Sequence, residues 1–197
     1  MMKIEPVVLE GKHVRLEPLT LGHIDALCEV GGDAEIWRWN PYIQVGDRAG
    51  IRAFVEFALG EQAAGSALPF VTIERATGRV IGSTRFMSIE RPHRRLEIGG
   101  TWIGVAWQRT PVNTEAKYLM FRHAFEVWGC IRVELKTDSL NDRSHNAILR
   151  IGAKEEGTFR NHMVTSTGRI RHSIYFSVID SEWPEVKARL EARLSRG

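Results

Sequence analysis

The stretch Gln108–Met120, QRTPVNTEAKYLM, decides how this chain is read. It follows an apolar run at 98–106, IGGTWIGVA, which reads as a strand. It leads into Ala116, Leu119, Met120, His123, Ala124 and Val127, whose spacing predicts a helix from Pro111 to Trp128, stopped by Gly129. Thr110 is a good N-cap, and Pro111 suits the first helical position, where a missing N–H costs nothing. A tight strand–turn–helix junction aims backbone N–H groups and the positive end of a helix dipole at one point. That point favours a phosphate or pyrophosphate. Many junctions of this shape bind nothing, so these residues alone leave anion binding open.

Outward from this segment the pattern alternates between strands and helices. Val14–Glu17 alternates as a short strand, and Thr20 caps a helix with Leu19 and Ile24 as a hydrophobic staple. Residues 34–46, with Trp37, Trp39, Pro41 and Tyr42, read as irregular. A helix over 47–62 carries Ile51, Phe54, Val55, Ala58 and Leu59 on one face. Residues 70–74 and 79–89 read as a hairpin, and 96–105 as the next strand. Ile131, Val133, Leu135 and Thr137 alternate with charged residues, which predicts a strand. A short helix over 141–151, an antiparallel pair at 153–160 and 169–179, and an amphipathic helix over 182–194 complete the chain. Trp183, Val186, Leu190 and Leu194 form that last helix's inward face. The order β-α-α-β-β-β-α-β-α-β-β-α predicts one α+β domain in α/β/α layers around a mixed sheet.

The 197 residues are enough for one domain with a full core, and 43% hydrophobic with 26% charged residues is an ordinary soluble composition. No apolar run approaches the ~20 residues of a membrane span, and the N-terminal MMKIEPVVLEGKH lacks an apolar core for a secretory signal. Cys28 and Cys130 are isolated, which suits a reduced cytoplasmic protein, and the seven His show no metal-ligand spacing. The net charge of +3 invites a nucleic-acid reading. Bases and acids are interspersed, however, as in residues 185–193, EVKARLEAR, which is a solvated helix face. A modest positive excess also suits an anionic small molecule.

Glu97-Ile98-Gly99, Trp107-Gln108, Asn113-Thr114-Glu115-Ala116, Asn141-Asp142-Arg143-Ser144 and Arg150-Ile151-Gly152-Ala153 follow one another in this order. Together they resemble the GNAT superfamily of acyl-CoA-dependent N-acyltransferases, most closely its RimJ/RimL-type branch. The resemblance spans residues 9–178 and implies a central sheet that splays between strands 96–105 and 131–138. Acyl-CoA would lie in the opening, its amide-rich arm acting as a surrogate strand. Ile103, Gly104 and Val105 would flank that arm. The pyrophosphate would meet Gln108, Arg109, Thr110 and the N–H groups of Val112, Asn113 and Thr114. One departure stands out: the family's loop usually reads Gln/Arg-x-x-Gly-x-Gly/Ala, and here Pro111 and Asn113 replace the small residues. Pro111 removes one donor, which alters the site while Arg109 adds charge.

Acyl transfer to an amine needs a neutral amine, a polarised thioester carbonyl and a proton for the departing thiolate. Backbone N–H groups near 104–106 could polarise the carbonyl. Ser144 is the candidate acid; it lies one turn after Asn141, whose family counterpart bonds the pantetheine arm. A capping pair of Asn141 and Ser144 is the alternative. Glu97 is the candidate base, with a plain ion pair to Arg94, Arg95 or Lys136 as its alternative. Trp37 and Trp39 are candidate walls of the acceptor pocket, or ordinary packing. His123 reads as a core histidine; His145 and His162 are weaker candidates for the site edge.

The leading expectation is an N-acetyltransferase that moves an acetyl group from acetyl-CoA to a primary amine, on a protein N-terminus or a small molecule, without a metal. A non-catalytic acyl-CoA-binding or regulatory module, and a transferase using another short acyl-CoA such as succinyl-CoA, are the alternatives. Nucleic acid and membrane are not expected partners. Six Trp and an apolar C-terminal helix suggest a homodimer or larger homo-oligomer.

Overall fold

The computed structural model describes residues 2–41 and 47–196, so Tyr42–Gly46 of the segment read as irregular lie outside the described residues. In chain order the elements are β1 (Leu9–Glu10), β2 (Val14–Pro18), α1 (Ile24–Val30), α2 (Ala34–Trp37), α3 (Arg48–Ala63), β3 (Leu68–Glu74), β4 (Val80–Glu90), β5 (Arg95–Ile103), α4 (Pro111–Arg122), β6 (Arg132–Asp138), α5 (Asp142–Arg150), β7 (Lys154–Val164), β8 (Ile170–Ile179) and α6 (Trp183–Leu194). The expected order of elements holds, with β1 and the single turn α2 added. Residues 34–37 are therefore helical, not irregular, because Asp33 caps the turn by accepting the Glu35 N–H at 2.9 Å.

The eight strands form one sheet in the order β1-β2-β3-β4-β5-β6-β8-β7. All neighbours are antiparallel except β5 and β6. Helices cover both faces. On one, Phe70, Phe86 and Val133 of the sheet pack with Met120 and Phe121 of α4 and Trp183 of α6. On the other, Val71, Ile73 and Trp102 pack with Leu27 of α1 and Ile51, Phe54 and Val55 of α3. The core of β3 is apolar through both faces for this reason, instead of alternating. Trp37, Trp102, Trp128 and Trp183 are all buried, as is most of α6's apolar face. Four of the six Trp invoked for self-association are thus inside the domain, and Trp39 and Trp107 are half-buried.

The sheet opens at its one parallel junction. β5 and β6 pair through Arg95↔Arg132, Leu96↔Val133 and Glu97↔Glu134, and the ladder stops there. Two glycines follow in β5. Gly100 adopts φ of 57°, and a Cβ there would stand 2.7 Å from Arg85 Nε, so glycine is required. The β4–β5 register shifts beside it, between Ser83 and Arg85. Bulges of this kind bend a strand away from its neighbour.

α4, which faces the opening, is anchored from the N-terminal side. Buried Glu115 accepts the backbone N–H groups of Lys12, His13 and Val14 at 2.8, 2.6 and 2.8 Å. The β1–β2 turn is thereby fixed to the helix. Gly11 leaves room for this: a Cβ there would lie 2.4 Å from the Glu115 Cδ. Glu115→Gln would turn an amide N–H₂ toward backbone donors that need an acceptor. Hydrogen bonds to a charged group contribute about 1.5–3 kcal/mol each, and this change should cost on the order of 2–3 kcal/mol. The expected result is a Tm lowered by roughly 5–10 °C with unchanged far-UV dichroism. A melting curve superimposable on that of the wild type would show that the carboxylate does not hold the hairpin.

Candidate active site

The opening between residues 98–103 and 135–138 continues into a cleft of about 360 Å³. It brings together Trp37, Trp39, Glu97, Ile103, Gln108, Arg109, Asn113, Asn141 and Ser144. Gly104, Val105, Thr110, Val112 and Thr114 are not among its lining residues. The physical reason begins with β5, which ends at Ile103, short of the 98–106 run. Residues 105–107 form a 3₁₀ turn instead. The Gly104 N–H donates to the Ile81 carbonyl at 2.8 Å, so it is taken by the sheet and is no oxyanion donor. An apolar run does not reveal where a strand stops when its last residues, Val105 and Ala106, are exposed.

The start of α4 is arranged as the turn chemistry predicts, with one correction. Thr110 occupies the N-cap position with extended backbone, and Pro111 is the first helical residue. The Thr110 hydroxyl, however, donates to the Trp107 carbonyl at 2.7 Å and does not cap the helix. No side chain at the N-cap therefore competes with an anion for the first-turn N–H groups. Arg109 is exposed, in a left-handed conformation with φ of 64°. Gln108 acts as a strut: its Nε2 donates to the Ile103 carbonyl at 3.0 Å, and its Oε1 accepts from Arg143 at 2.8 Å. The end of β5 is so tied to α5 across the cleft. Inside, the Asn113 Oδ1 is buried with no hydrogen-bond partner. Such an acceptor is costly unless a donor reaches it, and an amide-rich ligand lying in the cleft fits that requirement.

Glu97 sits where the parallel ladder ends. It is 3% exposed, and its Oε2 accepts from Lys136 of β6 at 2.9 Å. The ion-pair alternative to the base is thus real, and Lys136 is the partner. Burial pushes the Glu97 carboxyl above the usual carboxylate range, outweighing the opposing pull of Lys136. Neighbouring Gly99 has no side chain to cover the other oxygen; a Cβ there would lie 2.9 Å from Glu97 Oε1.

Asn141 caps α5 by accepting the Ser144 N–H at 3.1 Å, which is the capping arrangement. Its carboxamide keeps two N–H donors for another partner. Ser144 and Asn141 both line the cleft. The histidines lie elsewhere. His145 meets Glu155 at 2.9 Å, and His162 meets the Ser173 hydroxyl at 3.0 Å. His123 stands edge-on to Trp128 with centroids 4.5 Å apart, and burial holds its pKa down.

Trp37 is both wall and core. It is buried, its Nε1 donates to the Gly31 carbonyl at 2.7 Å, and its ring lies 4.7 Å from that of Trp102. Trp39 is half-buried, with the guanidinium groups of Arg38 and Arg169 at 5.2 and 5.6 Å from its ring centre. Arg169 also pairs with buried Asp138. The Ser166 N–H donates to the Pro41 carbonyl at 2.9 Å. The β7–β8 turn is therefore joined to the segment that carries Trp39.

Lys117 is the cleft residue that the sequence reading missed. It is 5% exposed, one helical turn beyond Asn113, and its Nζ donates to the hydroxyls of Thr101 at 2.6 Å and Thr84 at 3.2 Å. The two hydroxyls are 2.7 Å apart. Burial alone lowers its pKa to about 7. A signal was present: Lys117 falls within the arc of α4 that Met120 and Phe121 bury, where a lysine is out of place.

A family model described as an acetyltransferase (GNAT) domain matches residues 13–154. A GCN5-related N-acetyltransferase from Brucella melitensis has the same fold, at 34% identity and a TM-score of 0.89, over 96% of this chain and 86% of that one. The N-acetyltransferase p20 of Bacillus licheniformis, itself uncharacterized, is 23% identical over 89% of this chain and 97% of its own length. RimJ of Mycobacterium smegmatis, solved in complex with CoA-disulfide, shares the fold at 20% identity and a TM-score of 0.79, over 94% of this chain and 91% of its own. With a splayed sheet, a helix N-terminus at its mouth and a family match over residues 13–154, the chain belongs to the GNAT family of acetyltransferase domains.

Proposed function

We propose that this acetyltransferase moves an acetyl group from acetyl-CoA to a primary amine by direct transfer in a ternary complex. The observation that carries this is the ladder ending at Glu97↔Glu134, beside the uncapped N-terminus of α4. The facing edges of 98–103 and 135–138, which do not pair with each other, suit a pantetheine arm, and residues 108–113 suit the pyrophosphate. Glu97 takes the amine proton, directly or through water, and its burial makes it a stronger base than an exposed carboxylate. Ser144 gives a proton to the departing sulfur. Trp37 and Trp39 wall the acceptor side.

Cys130 offers no nucleophile for a covalent route. It is buried and its thiol is pushed up to about 12, which suppresses the thiolate. Among the described residues no cluster of His, Cys, Asp and Glu could hold a metal ion, and no helix is long and apolar enough to cross a membrane. We place the reaction in the cytoplasm, where free thiols persist.

Release of CoA measured with a panel of amines tests the reading as a whole; binding of CoA without release under any amine would favour a non-catalytic module. Arg109→Glu should weaken CoA binding roughly tenfold at low ionic strength, and less as salt rises. Calorimetry that finds equal affinity would move the pyrophosphate elsewhere.

General acid–base groups contribute ~10²–10⁴-fold to rate. Ser144→Ala should therefore lower kcat while leaving the CoA dissociation constant nearly unchanged. The base should act only when ionised. Wild-type kcat should fall as pH drops through the raised Glu97 pKa, above the usual carboxylate range. Glu97→Gln should lower kcat and flatten that acid limb. If the two changes made together leave wild-type kcat on a turned-over amine, positioning of the reactants alone accounts for the rate.

A further inference from the structure

We infer that Lys117 takes up a proton when acyl-CoA binds, and that the cation so formed holds the bound anion from inside the cleft. This rests on the reading that places the pyrophosphate at the N-terminus of α4.

Geometry comes first. Lys117 lies six residues after Pro111 on one helix, a rise of ~9 Å, and side chains of a helix lean toward its N-terminus. Lys117 is among the residues that line the cleft. Two hydroxyls accept from it, and an ammonium has a third N–H left over.

The surroundings supply no counter-charge. On α4 itself, Glu115 is taken by three backbone N–H groups of residues 12–14, and just beyond it His123 stands edge-on to Trp128. On β4, Arg85 pairs with Glu61 and lies over the Phe54 and Phe57 rings of α3. On β5, Glu97 is paired with Lys136 of β6. On α5, Arg143 is bonded to Gln108. No charged group is among the causes of the Lys117 shift; burial alone brings its pKa to about 7. The amine is thus mostly neutral at pH 8 before ligand arrives.

A phosphate charge on the order of 10 Å from an amine, at an effective dielectric near 20, raises its proton affinity about tenfold. A pyrophosphate brings more than one such charge. The neutral lysine keeps the cleft free of an unpaired buried cation, and the ligand's own charge creates its partner. An apolar residue would fill the same space and lack this response.

Calorimetric titration of CoA at pH 8, in phosphate and in Tris, reads the protons exchanged on binding from the difference in apparent enthalpy. The phosphomonoester of CoA, with a second pKa of about 6, and its pyrophosphate diester are already ionised at that pH and contribute little. The expected result for the wild type is uptake of about half a proton or more per CoA, with affinity falling as pH rises from about 7 to 9. Lys117→Met and Lys117→Gln should each bring the uptake near zero and weaken binding several-fold. CoA binding by the wild type without proton uptake, or uptake unchanged in either variant, overturns the inference and leaves the transferase reading intact. Absence of CoA binding by the wild type overturns both. If neither variant folds, the wild-type proton number and its pH dependence still decide.

Discussion

The molecule depends on a ladder that stops. β5 and β6 pair at three positions and then separate, and everything attributed to the cleft lies in the gap. Parallel strands buried between helix layers would ordinarily stay paired, because unpaired backbone groups away from water are costly. Two features mark the point of parting. Gly100 bends β5, and the Glu97–Lys136 pair ties the two strands together at the fork. The cost of the unsatisfied edges is what gives an amide-bearing ligand something to bind.

The surrounding layers make the gap durable. α3 covers one face of the sheet and α4 with α6 the other, so closure would require rigid packing units to move. Gln108 links the end of β5 to α5 through Arg143, and the Trp39 segment is bonded to the β7–β8 turn. Each contact is modest alone. Together they bridge the two halves of a split sheet with polar groups, leaving the apolar cores to each side.

Much of this was legible in the sequence, since helix caps and alternation are local signals. Pro111, Asn141, Gly129 and Gly152 marked helix ends that the structure shares to within a residue or two, the α4 helix widening to a π turn at 123–127. What failed was whatever depends on a distant partner. The end of β5 is set by the Gly104–Ile81 bond, which no local pattern encodes. Thr110 suited a cap by type, yet its hydroxyl found the Trp107 carbonyl first. Glu97 was readable as base or ion pair, and only the sheet register brings Lys136 of β6 against it. Lys117 carried a local signal by its place on the buried side of α4, but its partners Thr84 and Thr101 come from β4 and β5.

The bond from Glu115 to the first hairpin reaches further than stability. Three backbone amides, at Lys12, His13 and Val14, donate to a carboxylate on the helix that frames the cleft. They exchange their hydrogens with solvent only when α4 and the hairpin part. Their exchange rates are therefore a gauge, placed a hundred residues away in sequence, of how firmly that helix is seated.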